Sequence, residues 1–423
     1  MTIPYRRAAD LWRLVETHSA RGIAKAALRR TANRIEQYLD LGAADLPVRP
    51  EDLADSSNVS LAPRTWRTGS SLRIGWVCAP PGRGSGGHTT LFRMVQTAEA
   101  RGHDCTLLLY DRNSDDVARH EEVIRRYWPQ VKAEIRSATD RLDDMHVLVA
   151  SSWGTAHVVA KRAPATVNCF YFIQDYEPYF YPRGALYALA EDTYRFGFTN
   201  IALGEMVASR LLHELGIAAD ATVPFGCDAS DYKLLPRDAA TPPRSGIVYY
   251  AKRTVDRRGY LLAKLALEDF HRRHPEQEIH IFGDTVSGWP FPVTNHGSLR
   301  PAELNVLYNQ TIASLALSFT NISLVAEELM AAGNVPVLND HPFSRTDLSA
   351  PHAIWARATP SGIADGLSSA VNATDIDGRA RLLAETVRKD WHKPSTLVCQ
   401  EIERVCSPPS TRQALFDTKA ASS

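Results

Sequence analysis

Two adjacent glutamates, Glu327 and Glu328, stand inside the apolar run "TNISLVAEELMAAGNVPVLND" (320–340). If a helix begins near Ser323, a turn of about 100° per residue puts Val325, Leu329 and Ala332 on one face, with Glu328 at its margin and Glu327 almost opposite. The pattern therefore predicts Glu328 held against protein and Glu327 facing solvent. A carboxylate at a core margin needs a partner, because burying it alone is costly. The two hydroxyls of a sugar diol can donate to its two oxygens, and so can a neighbouring arginine; the spacing fits both.

Four further segments carry reactive or binding groups. "YYAKRTVDRRGY" (249–260) gathers Lys252, Arg253, Arg257 and Arg258 just past a strand-like run. Cations there suit a diphosphate, although a solvated basic loop has the same composition. "FTNIS" (319–323) leads from a strand end into a helix start, so the backbone from Asn321 through Ile322 and Ser323 to Leu324 can present free N–H groups to an anion. "PPGRGSGGHTT" (80–90) holds Gly82, Gly84, Gly86 and Gly87, which let a backbone approach a ligand closely. No Gly-Lys-Ser/Thr follows, which excludes a Walker loop. Gly82, Gly84 and Gly87 meet G-x-G-x-x-G, and Asp111 ends the next strand; a dinucleotide site, a loop beside another ligand's phosphate and an unliganded turn all fit. "YFIQDYEPYFYPRG" (171–184) runs from a buried strand into Gln174, Asp175 and Glu177 among tyrosines. Aromatic faces and carboxylates are what a carbohydrate pocket needs, and a loop packing on its own domain would look the same. His88 and His157 stand singly at helix starts and read as packing residues.

These segments are spaced by a regular alternation. "SLRIGWV", "DCTLLLY", "HVLVAS", "TVNCFYFI" and "FTNIAL" read as strands separated by helices or loops. The proline-bearing stretch "LLPRDAATPPRSG" (234–246) interrupts the alternation, which restarts with "GIVYYA", "EIHIFGD", "ASLALSF" and "VPVLND". Short apolar strands alternating with helices predict α/β domains with parallel sheets, and such sheets bind ligands outside their carboxyl ends. The expected organisation is a helical extension and linker over 1–70, one Rossmann-like domain over 71–235, a second over 236–390, and a tail over 391–423.

The 423 residues contain 48 Lys plus Arg and 48 Asp plus Glu, so no global basic field points to nucleic acid. Six scattered cysteines form no C-x-x-C pair and read as reduced, buried thiols; no metal-ligand cluster stands out. No apolar run approaches bilayer-crossing length and the N-terminus lacks a secretion signal's apolar core, so the expected location is cytoplasmic. From Arg6 to Arg34 there are eight Lys/Arg against two Asp/Glu. A basic amphipathic helix of this kind suits contact with anionic lipid, and equally a partner or its own domain.

Taken together, these motifs resemble the GT-B glycosyltransferases of family 4, over about Leu72 to Lys389. That family's Glu-Ala-Met-Ala-x-Gly-x-Pro-Val motif is matched by "ELMAAGNVPV" (328–337), with one extra residue between Gly333 and Pro336. Its Gly-Arg…Lys-Gly phosphate motif is matched by "KRTVDRRG", with Arg253 and Arg258 at the two cations; its Asn-Gly-Val-Asp turn by "FGCD" (225–228); its Gly-Gly loop by Gly86 and Gly87. "YFIQDYEPYFYP" and "SFTNISLVAEELMAAG" are most similar to rhamnosyltransferases that build surface glycans from dTDP-rhamnose. One position departs: the family's Glu-x7-Glu pair has Thr320 in place of its first glutamate. The resemblance implies two doubly wound domains facing a cleft. It also implies transfer of a sugar, with retention, from a nucleotide-diphosphate donor to a hydroxyl of a glycan or lipid-linked glycan, without cofactor or metal. Arg253, Arg258 and Asp175 are expected to act at the reacting centre. Glu328 would hold the ribose, Gly86, Gly87 and the backbone of Asn321, Ile322, Ser323 and Leu324 the donor phosphates, and the "HGSL" backbone at Gly297 and Leu299 the base. Glu177, Tyr176 and Tyr179 are expected toward the acceptor. A nucleotide-sugar 2-epimerase shares this architecture, and a degenerate glycan-binding subunit would also tolerate Thr320.

Overall fold

Strands form here where short apolar runs can be covered on both faces. In the first half, β1 (Arg73–Cys78), β2 (Asp104–Leu109), β3 (Glu134–Ser137), β4 (Val147–Ala150), β5 (Asn168–Ile173), β6 (Thr199–Leu203) and β7 (Ala221–Val223) make one parallel sheet in the order β3-β2-β1-β4-β5-β6-β7. In the second half, β8 (Ile247–Ala251), β9 (Ile279–Gly283), β10 (Thr294–Gly297), β11 (Ala313–Leu315), β12 (Val335–Asn339) and β13 (Ile354–Ala356) make another, ordered β10-β9-β8-β11-β12-β13. Both are doubly wound α/β sheets. The strand order reverses at β1/β4 in one and at β8/β11 in the other, and the crevice at such a reversal is where these sheets take ligands. The computed structural model describes residues 31, 46–61, 71–114, 116–348, 350–387 and 390–408, without the side chain of Ser323. The basic helix expected between Arg6 and Arg34 therefore lies outside the described residues, Thr31 apart. The unit from Asp52 onward carries both sheets.

Three connections differ from their sequence reading. Residues 391–406, assigned to a tail, instead include a helix (His392–Cys406) whose Val398, Cys399, Ile402, Val405 and Cys406 enter the first domain's core beside Met94, Val95 and Ala98. The polar connector before β1 is docked over 52–56. Buried Asp52 accepts from Tyr110 Oη (2.7 Å) and Arg162 Nε (2.6 Å), and Ser56 bonds Asp192. The 234–246 linker is stitched to the helix Pro301–Gln310: Leu235 N donates to Asn309 (2.9 Å), and buried Arg244 donates to the carbonyls of Tyr308 (2.9 Å), Thr311 (3.1 Å) and Ala332 (3.1 Å). Prolines and charges made these stretches look loose, whereas Asp52, Ser56 and Arg244 spend their polar groups on the fold.

Candidate active site

The two reversal points face each other across a cavity of about 340 Å³. From the first domain, Ala79, Ser85, Gly87 and His88 line it beyond β1, Ser151 and Ser152 beyond β4, and Gln174, Asp175, Glu177 and Phe180 beyond β5. From the second, Arg257 and Arg258 follow β8, and Asn321, Ile322, Leu324 and Val325 follow β11. Each group thus leaves a strand's carboxyl end.

The domains touch directly at this cavity. Thr320 Oγ1 donates to Asp175 Oδ2 at 2.8 Å, Arg257 Nη1 lies 3.8 Å from the same oxygen, and Asn321 Nδ2 donates to the Gln174 carbonyl at 3.1 Å. The Arg257 guanidinium also lies over the Phe180 ring, 4.5 Å from its centroid. Burial pushes the Asp175 carboxyl upward, and Arg257, Thr320 and Arg258 oppose the shift. Thr320 therefore serves as a hydroxyl donor where a glutamate would set a second carboxylate against Asp175. Glu177 is buried, accepting from Trp153 N and, at 3.3 Å, from Tyr171 Oη; burial carries it to about 8. Burial and the Arg257 charge bring Arg258 down to about 10, so it remains cationic at neutral pH.

Arg253, the expected partner of Arg258, is exposed and does not line the cavity; its backbone N–H donates to Asp284 at 2.8 Å. Arg257 lines the cavity instead. The short turn Asp256–Arg258 brings Arg257 and Arg258 to the wall together; the resemblance singled out Arg258, but nothing in "KRTVDRRG" marked Arg257 over Arg253. Gly86 and Gly87 open the helix Gly86–Ala100, and Gly87 lines the cavity. Tyr176 is fully buried and stacks on Tyr194 at 5.6 Å, and Tyr179 Oη donates to Glu214 at 3.1 Å; neither lines the cavity. Gly297 closes β10 and Leu299 packs near Cys227, Tyr232 and Tyr308, also away from the lining. His88, read as a packing residue, does line the cavity. Its Nε2 bonds the Ala79 carbonyl (2.8 Å) and its Nδ1 pairs with Ser85 Oγ (2.7 Å), while burial lowers its pKa. His157 is the buried packing residue expected, bonded to Ala54 N and the Leu189 carbonyl. Asp111 accepts from Asn113 N, Ser114 Oγ and His120 Nε2, so its carboxylate is engaged in its own loop.

The helix Ser323–Ala331 corrects one expectation. Glu327, assigned to solvent, is 3% exposed, and Glu328 is half-buried. The periodicity assumed one open face, and none remains. Ala326 and Met330 enter the second domain's core, Leu329 joins the cluster around Tyr232 and Tyr308, and the helix Ile376–Thr386 packs on it as well. Glu328 lies beside the cavity lining rather than in it. Burial and Asp228 raise it to about 8, with Asp231 and Glu327 adding to the rise and Arg93 opposing it. Arg93 pairs with Asp228 and covers the Trp391 ring at 4.7 Å, so one guanidinium touches both chain crossings between the domains. Among the described residues no group of three or more His, Cys, Asp or Glu could hold a metal ion, and no helix is long and apolar enough to cross a membrane.

Residues 113–206 match the family described as the N-terminal domain of WsaF. Over 368 residues, 82% of this chain, the sequence is 28% identical to the O-antigen biosynthesis protein RfbC of Myxococcus xanthus, and it spans 28% of that protein's length. Among solved structures, HepE of Anabaena in complex with UDP and glucose superposes with a TM-score of 0.59 at 13% identity, covering 78% of this chain and 99% of that one. Sucrose-phosphate synthase of Thermosynechococcus elongatus gives 0.59 at 12% identity, covering 79% and 99%. TarM of S. aureus, in complex with fondaparinux, α-GlcNAc-glycerol and UDP, gives 0.61 at 8% identity, covering 80% and 100%. At such identities the likeness concerns the fold, which is that of the GT-B glycosyltransferases.

Proposed function

We propose that this protein is a glycosyltransferase that moves a sugar from a nucleotide diphosphate to a hydroxyl of a growing surface glycan. The supporting observation is the cavity at the two facing reversal points, with Arg257 and Arg258 on one wall and Asp175 and Glu177 on the other. In such a transfer the departing diphosphate gains negative charge as the sugar becomes cation-like. Fixed cations and N–H dipoles on the leaving side, with carboxylates on the sugar side, lower that barrier. Arg257, Arg258 and the backbone from Asn321 to Leu324 would take the diphosphate, and Asp175 and Glu177 the sugar or the acceptor hydroxyl. The UDP recorded with HepE and TarM and the O-antigen name of the Myxococcus relative favour this reading. L-Rhamnose as the sugar, dTDP as its carrier, retention at the anomeric carbon and reaction without a metal or cofactor are proposed on the sequence resemblance. Action on the cytoplasmic side and membrane contact through residues 6–34 are proposed instead on the composition of the N-terminal sequence, which lacks a secretion signal's apolar core and is rich in Lys and Arg. Incubating the protein with nucleotide sugars, with and without glycan acceptors, tests the proposal. Transfer only when acceptor is present supports it, whereas an epimerised donor in the absence of acceptor would identify a 2-epimerase.

Glu328 gives the proposal a pH signature. An ionised carboxylate accepts from both ribose hydroxyls, whereas the protonated acid has lost one acceptor position. With Glu328 raised to about 8, nucleotide affinity should climb as pH rises through 8 and should be flat for Glu328→Gln, as calorimetry across pH 6.5–9 (on the order of one unit either side) would show. Stability should move the other way. The folded state holds this proton between the ordinary carboxylate value of 4.5 and about 8, so its stabilising share is complete below 4.5 and lost as pH rises through 8.

A further inference from the structure

We propose that Asp347 holds the two domains closed beside the cavity by capping a helix of the opposite domain; this deepens the reading above and rests on it, because the site is complete only when the domains meet. Asp347 ends the short helix Pro342–Asp347, which follows β12 in the second domain. The helix Glu205–Leu215 follows β6 in the first, and its cap position is Gly204, which has no side chain to accept the first-turn N–H groups. Asp347 supplies the acceptors from across the cleft: Oδ1 takes the Glu205 N–H and Oδ2 the Met206 N–H at 3.1 Å. Gly204 has φ of 90°, and a Cβ there would meet both the Phe225 ring and, at 2.7 Å, Asp347 Oδ2, so the bare position admits the ring and the carboxylate together. The negative group also meets the positive end of the helix dipole.

A second contact lies alongside. The Arg210 guanidinium of the capped helix sits over the Phe343 ring of the opposite domain, 3.3 Å from its centroid. Arg210 pairs with Glu214 at 2.9 Å, and Glu214 accepts from Tyr179 Oη, in the loop that carries Asp175 and Glu177. Closure at Asp347 is thus linked through packed side chains to the carboxylate wall of the cavity. Two further cross-domain bonds, Thr320 to Asp175 and Asn321 to Gln174, join the cavity walls themselves, where a donor would sit. Asp347 does not line the cavity, so its contact can persist with ligand bound. That makes it a positioning residue, not a catalytic one.

The test uses the full chain with spin labels at Glu122→Cys and Glu268→Cys, one exposed site on each domain; the native cysteines are all buried. Asp347→Ala should shift the interdomain distances longer and broaden them. Asp347→Asn, which keeps one of two acceptors, should fall between alanine and wild type. The dissociation constant for dTDP or UDP, whichever the wild type binds, should rise about fivefold in the alanine variant, the scale of a lost helix cap. If Asp347→Ala melts before labelling, Phe343→Ala removes the companion contact and should shift the distances the same way. Distances unchanged in Asp347→Ala, or in Phe343→Ala where that variant stands in for it, would overturn the latch whatever the protein binds, and so would Asn behaving as Ala. Absence of any nucleotide binding by the wild type would defeat the transferase reading while the distance comparison still decides the latch.

Discussion

Arg258→Ala should reduce sugar transfer by about 10²–10³-fold, the usual cost of removing one preorganised donor from a charge-stabilising site. The side chain is cationic in the protein despite its downward shift to about 10, and it lines the cavity with Arg257. In a partly dry cavity a fixed charge acts with less screening than in water, so solvent entering the space left by the side chain cannot replace it. Arg258→Lys keeps the charge and loses the planar fork, so it should recover only part of the rate. The loss should fall on turnover more than on KM if the contact tightens as the diphosphate leaves; a change confined to KM would show that Arg258 only holds the donor. Arg253→Ala is the informative comparison. That side chain is exposed and off the cavity wall, so its replacement should stay within about twofold of wild type, as for ordinary surface charges. Equal turnover of Arg258→Ala and the wild type would remove Arg258 from the mechanism.

The largest effect on stability is expected at Arg244, far from the chemistry. Its side chain is fully buried, with donors spread over the Tyr308, Thr311 and Ala332 carbonyls and the Asn309 side chain. Asn334 Nδ2 also donates to the Tyr308 and Thr311 carbonyls, so those two keep a partner when Arg244 is lost. Arg244→Met should therefore cost about 3 kcal/mol, the low end for breaking a buried charged network. For a domain of this size that is a melting shift of about 6–12 °C, readable by calorimetry as the unfolding of the second domain. A shift of only a degree or two would mean that the bonds of Leu235 and Arg237 to Asn309 hold the linker without Arg244.

The sequence made the interior of both sheets legible and left their edges hidden. The nine strands expected from apolar runs are β1, β2, β4, β5, β6, β8, β9, β11 and β12, and each lies inside a sheet. The four it did not show are β3, β7, β10 and β13, and each lies at a sheet edge. An interior strand is covered on both faces and is therefore mostly apolar, with its charged residues at the ends, as Arg73 of β1 and Asp104 of β2 show. An edge strand such as Glu134–Ser137 or Thr294–Gly297 is partly wet, and its composition is that of a loop. The site divides in a similar way. Asp175, Glu177 and the 319–325 turn could be located because strand ends in this class of sheet point at ligands. The choice of Arg257 over Arg253, and the burial of Glu327, depend on a three-residue turn and on a helix 50 residues further along the chain (about the distance to Ile376), which no local period records.

The helix His392–Cys406 has a consequence for how the polypeptide is made. The first sheet is complete in sequence by Val223, yet part of its apolar covering comes from residues translated only after the entire second domain. At about 5–20 residues per second, ribosomal synthesis leaves the groove along Met94, Val95 and Ala98 unfilled for on the order of ten seconds or more. During that interval the nascent chain offers a greasy furrow to chaperones, and a product ending near Asp390 would carry it permanently.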